Sequence, residues 1–139
     1  MIDQVTVFLE NQKGRLSALT RALANANVNM IALTIAEASD YGLVRIVCDS
    51  PKKAVEALNA AGMRALVTEV LAVAVPNRPG GLADLLETFE ALDLNIEYGY
   101  CFSVRGEEAV DVLKVGNASN AAKAIEAAGH RIVTLADFA

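Results

Sequence analysis

Apolar residues in this chain switch between a two-residue rhythm and a three-to-four-residue rhythm, and the switches come in the same order twice. Val5 to Leu9 reads as a strand, followed by the turn Asn11-Gln12-Lys13-Gly14. Leu16, Leu19, Leu23 and Ala26 then place one apolar stripe on a helix. The turn-prone stretch Asn25 to Asn29 closes it, and branched residues from Met30 to Ala38 predict a second strand. Ser39-Asp40-Tyr41-Gly42 is a hairpin signal, with Leu43 to Asp49 as the returning strand. Ser50-Pro51 opens a second helix with proline at its tolerated first position, Val55 and Leu58 turn inward, and Gly62 ends it. A last strand is expected within Arg64 to Glu69.

The second pass begins at once. Leu71 to Val75 reads as a strand, and Leu82, Leu85, Leu86, Phe89 and Leu92 mark a helix. A hairpin runs from Asn95 to Val104, turns around Arg105-Gly106-Glu107, and returns over Ala109 to Val115. A helix over Ala118 to Ala128 and a strand over Ile132 to Leu135 complete it. The two passes align residue by residue. Asn11 matches Asn77, Gly14 matches Gly80, Leu16 matches Leu82, and Asn29-Met30 matches Asn95-Ile96, all at an offset of 66. Near the end, Ala57 to Gly62 matches Ala124 to Gly129 at an offset of 67, so one residue was inserted between these anchors. The fold expected is α+β: two ferredoxin-like βαββαβ modules, over residues 1–69 and 70–139. A module this small is marginal alone, and duplication lets two halves share a buried seam. Val70 to Val75 is apolar without a break, so both faces of that strand want cover. Helices can cover one, and a second sheet over the other predicts a homodimer.

Composition narrows the function. Charged residues make up 21% of the chain and the net charge is −5, with no cluster of Lys or Arg, so neither a nucleic-acid partner nor a membrane partner is expected. The first residues run directly into a strand, without the profile of a signal peptide, and no apolar run is long enough for a membrane span. Cys48 and Cys101 lie in strand-like segments without CxxC spacing and read as small buried hydrophobes of a reduced compartment, the cytoplasm. Catalysis finds few candidates. His130 is the only histidine, placed at a turn where a surface role is expected, and Glu107-Glu108 reads as a solvated pair at a hairpin tip. No residues stand at metal-ligand spacing, and no serine or threonine has an evident base. The chain is expected to be non-catalytic, with no cofactor and no metal.

The duplicated turn is where chemistry concentrates. Each half carries Asn-x-x-Gly-x-Leu between a strand and a helix, with another Asn 18 residues after the first. The glycine removes a Cβ from a close approach, and the helix that follows offers unpaired N–H groups and the positive end of its dipole to a carboxylate. An Asn amide both donates and accepts. These parts suit the two charged ends of a free amino acid. The same residues also cap helices and form tight turns in proteins that bind nothing.

Asn77-Arg78-Pro79-Gly80-Gly81-Leu82, with Asn95-Ile96 downstream, resembles the signature of the ACT domain, and the whole chain is similar to small stand-alone proteins made of two such domains in tandem. The resemblance implies ligand-controlled regulation, with the modules paired side by side into a shared antiparallel sheet and helices on one face. It implies amino-acid binding at the seam between them. Asn77, Arg78 and the backbone of Gly80, Gly81 and Leu82 would face Asn29 and Met30; Asn11 and the backbone of Gly14, Arg15 and Leu16 would face Asn95 and Ile96. The partners implied are an amino-acid ligand, a second copy of the chain and an enzyme of amino-acid metabolism. The alternative is a regulatory subunit acting mainly through protein contacts. The turns are unequal, with Lys13 in one where Pro79 stands in the other. Leu9 and Val75 occupy positions where some family members carry a polar residue. Tyr98 and Tyr100 share a strand face and could line a pocket or pack at a dimer face.

Overall fold

A computed structural model describes residues 1–37 and 40–138; the expectation for Ala38 and Ser39 lies outside the described residues. The chain resolves into two compact units, one over Asp3–Thr68 and one formed by Met1–Ile2 with the chain from Glu69 onward. Each is a βαββαβ module.

In the first, the elements are β1 (Ile2–Glu10), α1 (Arg15–Asn25), β2 (Met30–Glu37), β3 (Tyr41–Cys48), α2 (Pro51–Ala60) and the opening of β4 (Arg64–Pro76). The strand order is β2-β3-β1-β4, with β1 and β2 antiparallel to β3. Alternation along the strands sorts the faces. Val5, Val7 and Leu9 of β1 join Val44, Ile46 and Cys48 of β3 beneath Leu19 and Leu23 of α1 and Ala54 and Leu58 of α2. On the other face Gln4 and Thr6 are buried and linked, the Gln4 amide donating to Thr6 Oγ1 at 3.1 Å, and Thr6 meeting Thr68 at 2.9 Å.

The second module runs from the later part of β4 through α3 (Gly81–Ala91), β5 (Ile96–Arg105), β6 (Glu108–Val115), α4 (Ala118–Ala127) and β7 (Arg131–Ile132). Its strand order is β5-β6-β4, with β7 also on β4, and every pairing is antiparallel. Leu71, Val73 and Val75 share a core with Leu113 and Val115, under Leu85 and Phe89 of α3 and Ile125 of α4. No described helix is long and apolar enough to cross a membrane.

Three expectations need correction. The strands foreseen at Arg64 to Glu69 and at Leu71 to Val75 are one strand of 13 residues. Nothing between Arg64 and Val75 is Gly, Pro or Asn, so the backbone has no reason to turn. The last strand is only Arg131–Ile132, and Leu135–Phe138 instead form a 3-10 turn fastened by Asp137, whose carboxylate accepts from Thr134 N–H at 2.8 Å. That bond holds the Asp137 carboxyl below its ordinary value. Third, Cys101 is exposed rather than buried, while Cys48 is buried as expected. Cys101 lies on β5, which ends the strand order of its module.

The homodimer expectation rests on a face of Val70 to Val75 that helices leave without cover. In the chain itself Val70 and Ala72 are fully buried and Ala74 is 8% exposed, so burying that strand needs no second chain. The C-terminal turn contributes to this side of the module. Phe138 packs on Phe102 with ring centroids 4.6 Å apart, and Asp137 and Phe138 share a cavity of about 190 Å³ with Ser103, Val110, Arg131 and Val133. Phe138→Ala is expected to lower stability by ~1 kcal/mol through loss of the ring pair, read as a fall in urea midpoint without a change in slope.

Candidate functional site

The two Asn-x-x-Gly turns adopt one backbone geometry. Gly14 and Gly80 are the N-cap residues of α1 and α3, at φ 88° and φ 90°. A side chain at such φ is strained, which is why glycine recurs at this point. In the first turn Gln12 N–H donates to Glu10 C=O at 2.8 Å and Arg15 N–H to Gln12 C=O at 3.3 Å. In the second, Arg78 N–H donates to Pro76 C=O at 2.9 Å and Gly81 N–H to Arg78 C=O at 3.0 Å. Each turn is also tied to the hairpin of its own module: Asn11 N–H reaches Asp40 C=O at 3.4 Å, and Asn77 N–H reaches Glu107 C=O at 2.7 Å.

The second turn is held more firmly. The Asn77 side-chain amide donates to Gly106 C=O at 3.1 Å, leaving its oxygen as an acceptor. Arg78 meets Asp84, in the first turn of α3, at 3.4 Å and donates to Pro79 C=O at 3.3 Å. A Cβ at Gly81 would lie 2.1 Å from Pro76 O, so only glycine fits. The first turn has Arg15 there, and its Nε is buried without a hydrogen-bond partner among the described residues.

Asp84 N–H bonds back to Gly80 C=O at 2.9 Å and Gly81 N–H is taken by Arg78, which leaves Leu82 and Ala83 N–H without a partner among the described residues. In α1 the corresponding groups are Leu16 and Ser17 N–H, since Ala18 N–H bonds to Gly14 C=O at 3.0 Å. Two such donors at a positive helix end form a seat for an anion. Beside Gly81 lies a cavity of about 490 Å³, also lined by Asp84, Glu107, Glu108, His130 and Arg131.

Several residues singled out in the sequence are placed differently from one another. The Asn29 backbone is paired with Asp49, its N–H donating to Asp49 Oδ1 at 3.1 Å and its C=O accepting from Asp49 N–H at 3.1 Å. In the second module Gly116 occupies the place of Asp49, so no carboxylate stands there to accept from the Asn95 N–H. Met30 and Ile96 pack against the cores of their own modules. Tyr98 and Tyr100 pair across with Lys114 and Val112, on the face turned away from the helices. His130 is half-buried rather than a free surface residue, its Nε2 3.1 Å from Thr88 Oγ1. Glu107 and Glu108 are both exposed, and Glu108 is ion-paired with Arg131.

Asp111 escaped the sequence reading. Its register partners are Val73 on β4 and Cys101 on β5, so it shares the helix side of the sheet with Val73. It is 8% exposed and makes no hydrogen bond or ion pair among the described residues. Burial pushes its carboxyl above the ordinary value. The signal was available in the repeat: Val73 pairs with Asp111 as Val7 pairs with Val44, so a core valine of the first module has become an aspartate.

Comparison with known proteins agrees with this architecture. The profile of the ACT domain pair matches residues 1–136. Protein BT0572 from Bacteroides thetaiotaomicron is 33% identical at a TM-score of 0.89, over 95% of this chain and 91% of that one. The regulatory subunit of aspartate kinase from Thermus thermophilus, in a ligand-free form, shares 16% identity at a TM-score of 0.67, over 91% of this chain and 92% of that one. Its counterpart from Thermus flavus shares 18% at 0.64, over 92% and 91%. Comparison with curated protein sequences returns no match. From its full-length match and its two βαββαβ modules, the chain belongs to the ACT domain pair family.

Proposed function

We propose that this chain is a non-catalytic regulatory protein of the cytoplasm that binds a free amino acid, with the ligand carboxylate on the turn that opens α3. The observation that carries the reading is the pair of unpartnered N–H groups at Leu82 and Ala83, beside a turn fixed through Asn77 and Gly81. A carboxylate there gains two charge-assisted hydrogen bonds and the helix dipole. Asn77 Oδ1 is an acceptor suited to an ammonium group. The first turn offers Leu16 and Ser17 N–H on the same plan, but its flexible Lys13 makes it the weaker seat.

A thermal-shift screen of the twenty amino acids tests this. A ligand at 100 times its Kd adds ~2.7 kcal/mol to the folded state, several degrees in Tm for a protein of this size. Asn77→Ala is expected to weaken the response about tenfold, beyond the ~1 kcal/mol of stability that its bond to Gly106 contributes. Absence of any shift at millimolar concentration would overturn the reading.

A second reading rests on two exposed side chains of α3, Leu82 at 44% and Leu86 at 38%. They suit a partner protein, and the Thermus relatives carry the name of aspartate kinase regulatory subunits. On that reading the chain is a regulatory subunit of an enzyme of amino-acid metabolism. Leu86→Asp then abolishes association with the enzyme while every amino acid leaves the melting temperature unchanged.

A further inference from the structure

A row of residues crosses all four strands of the second module on the face turned away from its helices. Ser103 stands opposite Val110, Val110 opposite Ala74, and Ala74 opposite Arg131. Further along the same strands Arg105 stands opposite Glu108. The cavity of about 190 Å³ lies between these strands and the C-terminal turn, which contributes Asp137 and Phe138. Its apolar wall is made by Val110 and Val133, both buried, and by the Phe138 ring that packs on Phe102.

Charged side chains of both signs line the rest. Arg131 and Glu108 neutralise each other in an ion pair. The Arg105 side chain makes no hydrogen bond or ion pair among the described residues, so its fork of N–H donors is open. Asp137 commits only one oxygen: Oδ2 accepts from Thr134 N–H at 2.8 Å and from Thr134 Oγ1 at 3.3 Å, while Oδ1 has no donor among the described residues. A guanidinium on β5 and a carboxylate oxygen on the turn thus border one small space, with an apolar wall between them. The lining carries no net charge, which suits a ligand bearing both charges better than a lone anion or cation. The volume of about 190 Å³ holds roughly six waters at ~30 Å³ each. That is the bulk of glycine, alanine or serine, with no room for a long side chain.

We infer that this cavity is a second ligand site, which takes a small zwitterionic amino acid with its carboxylate on Arg105 and its ammonium group on Asp137 Oδ1. A carboxylate in the guanidinium fork gains charge-assisted hydrogen bonds, as does an ammonium group on a carboxylate oxygen. The site goes beyond the seat on α3 and does not depend on it. Glu108 and Arg131 also line the cavity beside Gly81, but Arg105, Asp137 and Phe138 do not. The C-terminal turn becomes a strap, tied to β5 through the bound ligand.

The test uses the full chain with Arg105→Gln and Asp137→Asn. Both side chains are exposed, and Asp137→Asn keeps an acceptor for Thr134, so the fold is retained. Calorimetric titration is run with glycine, alanine, serine, leucine, acetate and ethylammonium chloride, and hydrogen exchange locates the bound ligand. The expected result is that a small amino acid binds, that leucine, acetate and ethylammonium do not, and that affinity falls about tenfold or more in each variant. Exchange should slow at Thr134 and Asp137 N–H, the two donors that close the C-terminal turn. A small amino acid that binds wild type and both variants alike, and slows exchange at Leu82 and Ala83 instead, overturns the cavity site and leaves the α3 reading standing. So does a larger amino acid bound there while glycine, alanine and serine are silent at millimolar concentration. Acetate bound as tightly as glycine overturns the assignment of a zwitterion. Binding lost in both variants, with no amino acid ever slowing Leu82 or Ala83, supports the cavity and overturns the carboxylate seat on α3.

Discussion

Gly81→Ala is expected to be the most damaging single substitution in the second module, lowering stability by ~3 kcal/mol and the melting temperature by on the order of 10 °C. A methyl group added at this position would sit 2.1 Å from the Pro76 carbonyl oxygen and 3.2 Å from its carbon. Both atoms are backbone at the end of β4, and no rotamer change relieves the overlap. Either the first turn of α3 lifts away or Pro76 moves, and Pro76 is held in register with Glu108. Arg15→Ala is the matched control. Arg15 already carries a Cβ at the equivalent place, so the first turn accommodates one, and only a partly buried side chain is lost. Thermal unfolding of the two variants in parallel decides the matter; equal, small effects would show that the second turn relaxes freely and is not a fixed seat. Because the clash displaces Leu82 and Ala83, amino-acid binding should disappear with it.

Asp111→Val is expected to act in the opposite direction, raising stability at neutral pH by on the order of 1–2 kcal/mol. The mechanism fixes its pH dependence. Burial raises the Asp111 carboxyl above its ordinary value of 3.8, so the folded chain keeps this proton at pH values where the unfolded chain has released it. Below the unfolded value both states are protonated and the group carries no electrostatic penalty. As pH rises through the folded value, stability is lost, and at pH 7 the full cost is present. The advantage of valine is therefore greatest at neutral pH and shrinks toward pH 3. Around Asp111, β4 presents Val73, and α3 and α4 present Leu85, Phe89, Ala122 and Ile125 to the same core. Urea unfolding of wild type and variant at the two pH values measures the difference. A gain that does not change with pH would mean that packing, rather than charge, sets it.

Much of the architecture was legible because duplication states each signal twice. Gly14 and Gly80 identified the two helix starts, and the stripes Leu19-Leu23 and Leu85-Phe89 are the buried faces of α1 and α3. Legibility ended where a local pattern had two structural solutions. Arg64 to Val75 alternates and then runs apolar, and that description fits two short strands as well as one long one. At the C-terminus, Thr134 and Asp137 diverted the chain into a 3-10 turn through side-chain hydrogen bonds, which strand propensity does not register. Asp111 was hidden for the opposite reason. Within Ala-Val-Asp-Val-Leu it looks like the outward polar residue of an alternating strand, and only register shows that it faces inward. The firm hold on the second turn was legible only in part, since Pro79 was visible in the sequence and the Asn77–Gly106 bond was not.

Three pairs of positive-φ positions recur at matching places in both halves: Gly14 with Gly80, Asn27 with Asp93, and Gly62 with Gly129. At Asn27 and Asp93 the residues differ while φ is 56° at both. Backbone conformation has thus outlasted side-chain identity since the copies separated. A gene that carries the same scaffold twice holds a spare: one copy can drift in chemistry, as Val44 and Asp111 have, without putting the shared geometry at risk. New ligand preferences in such a protein can arise by divergence between siblings within one chain, before any second gene is needed.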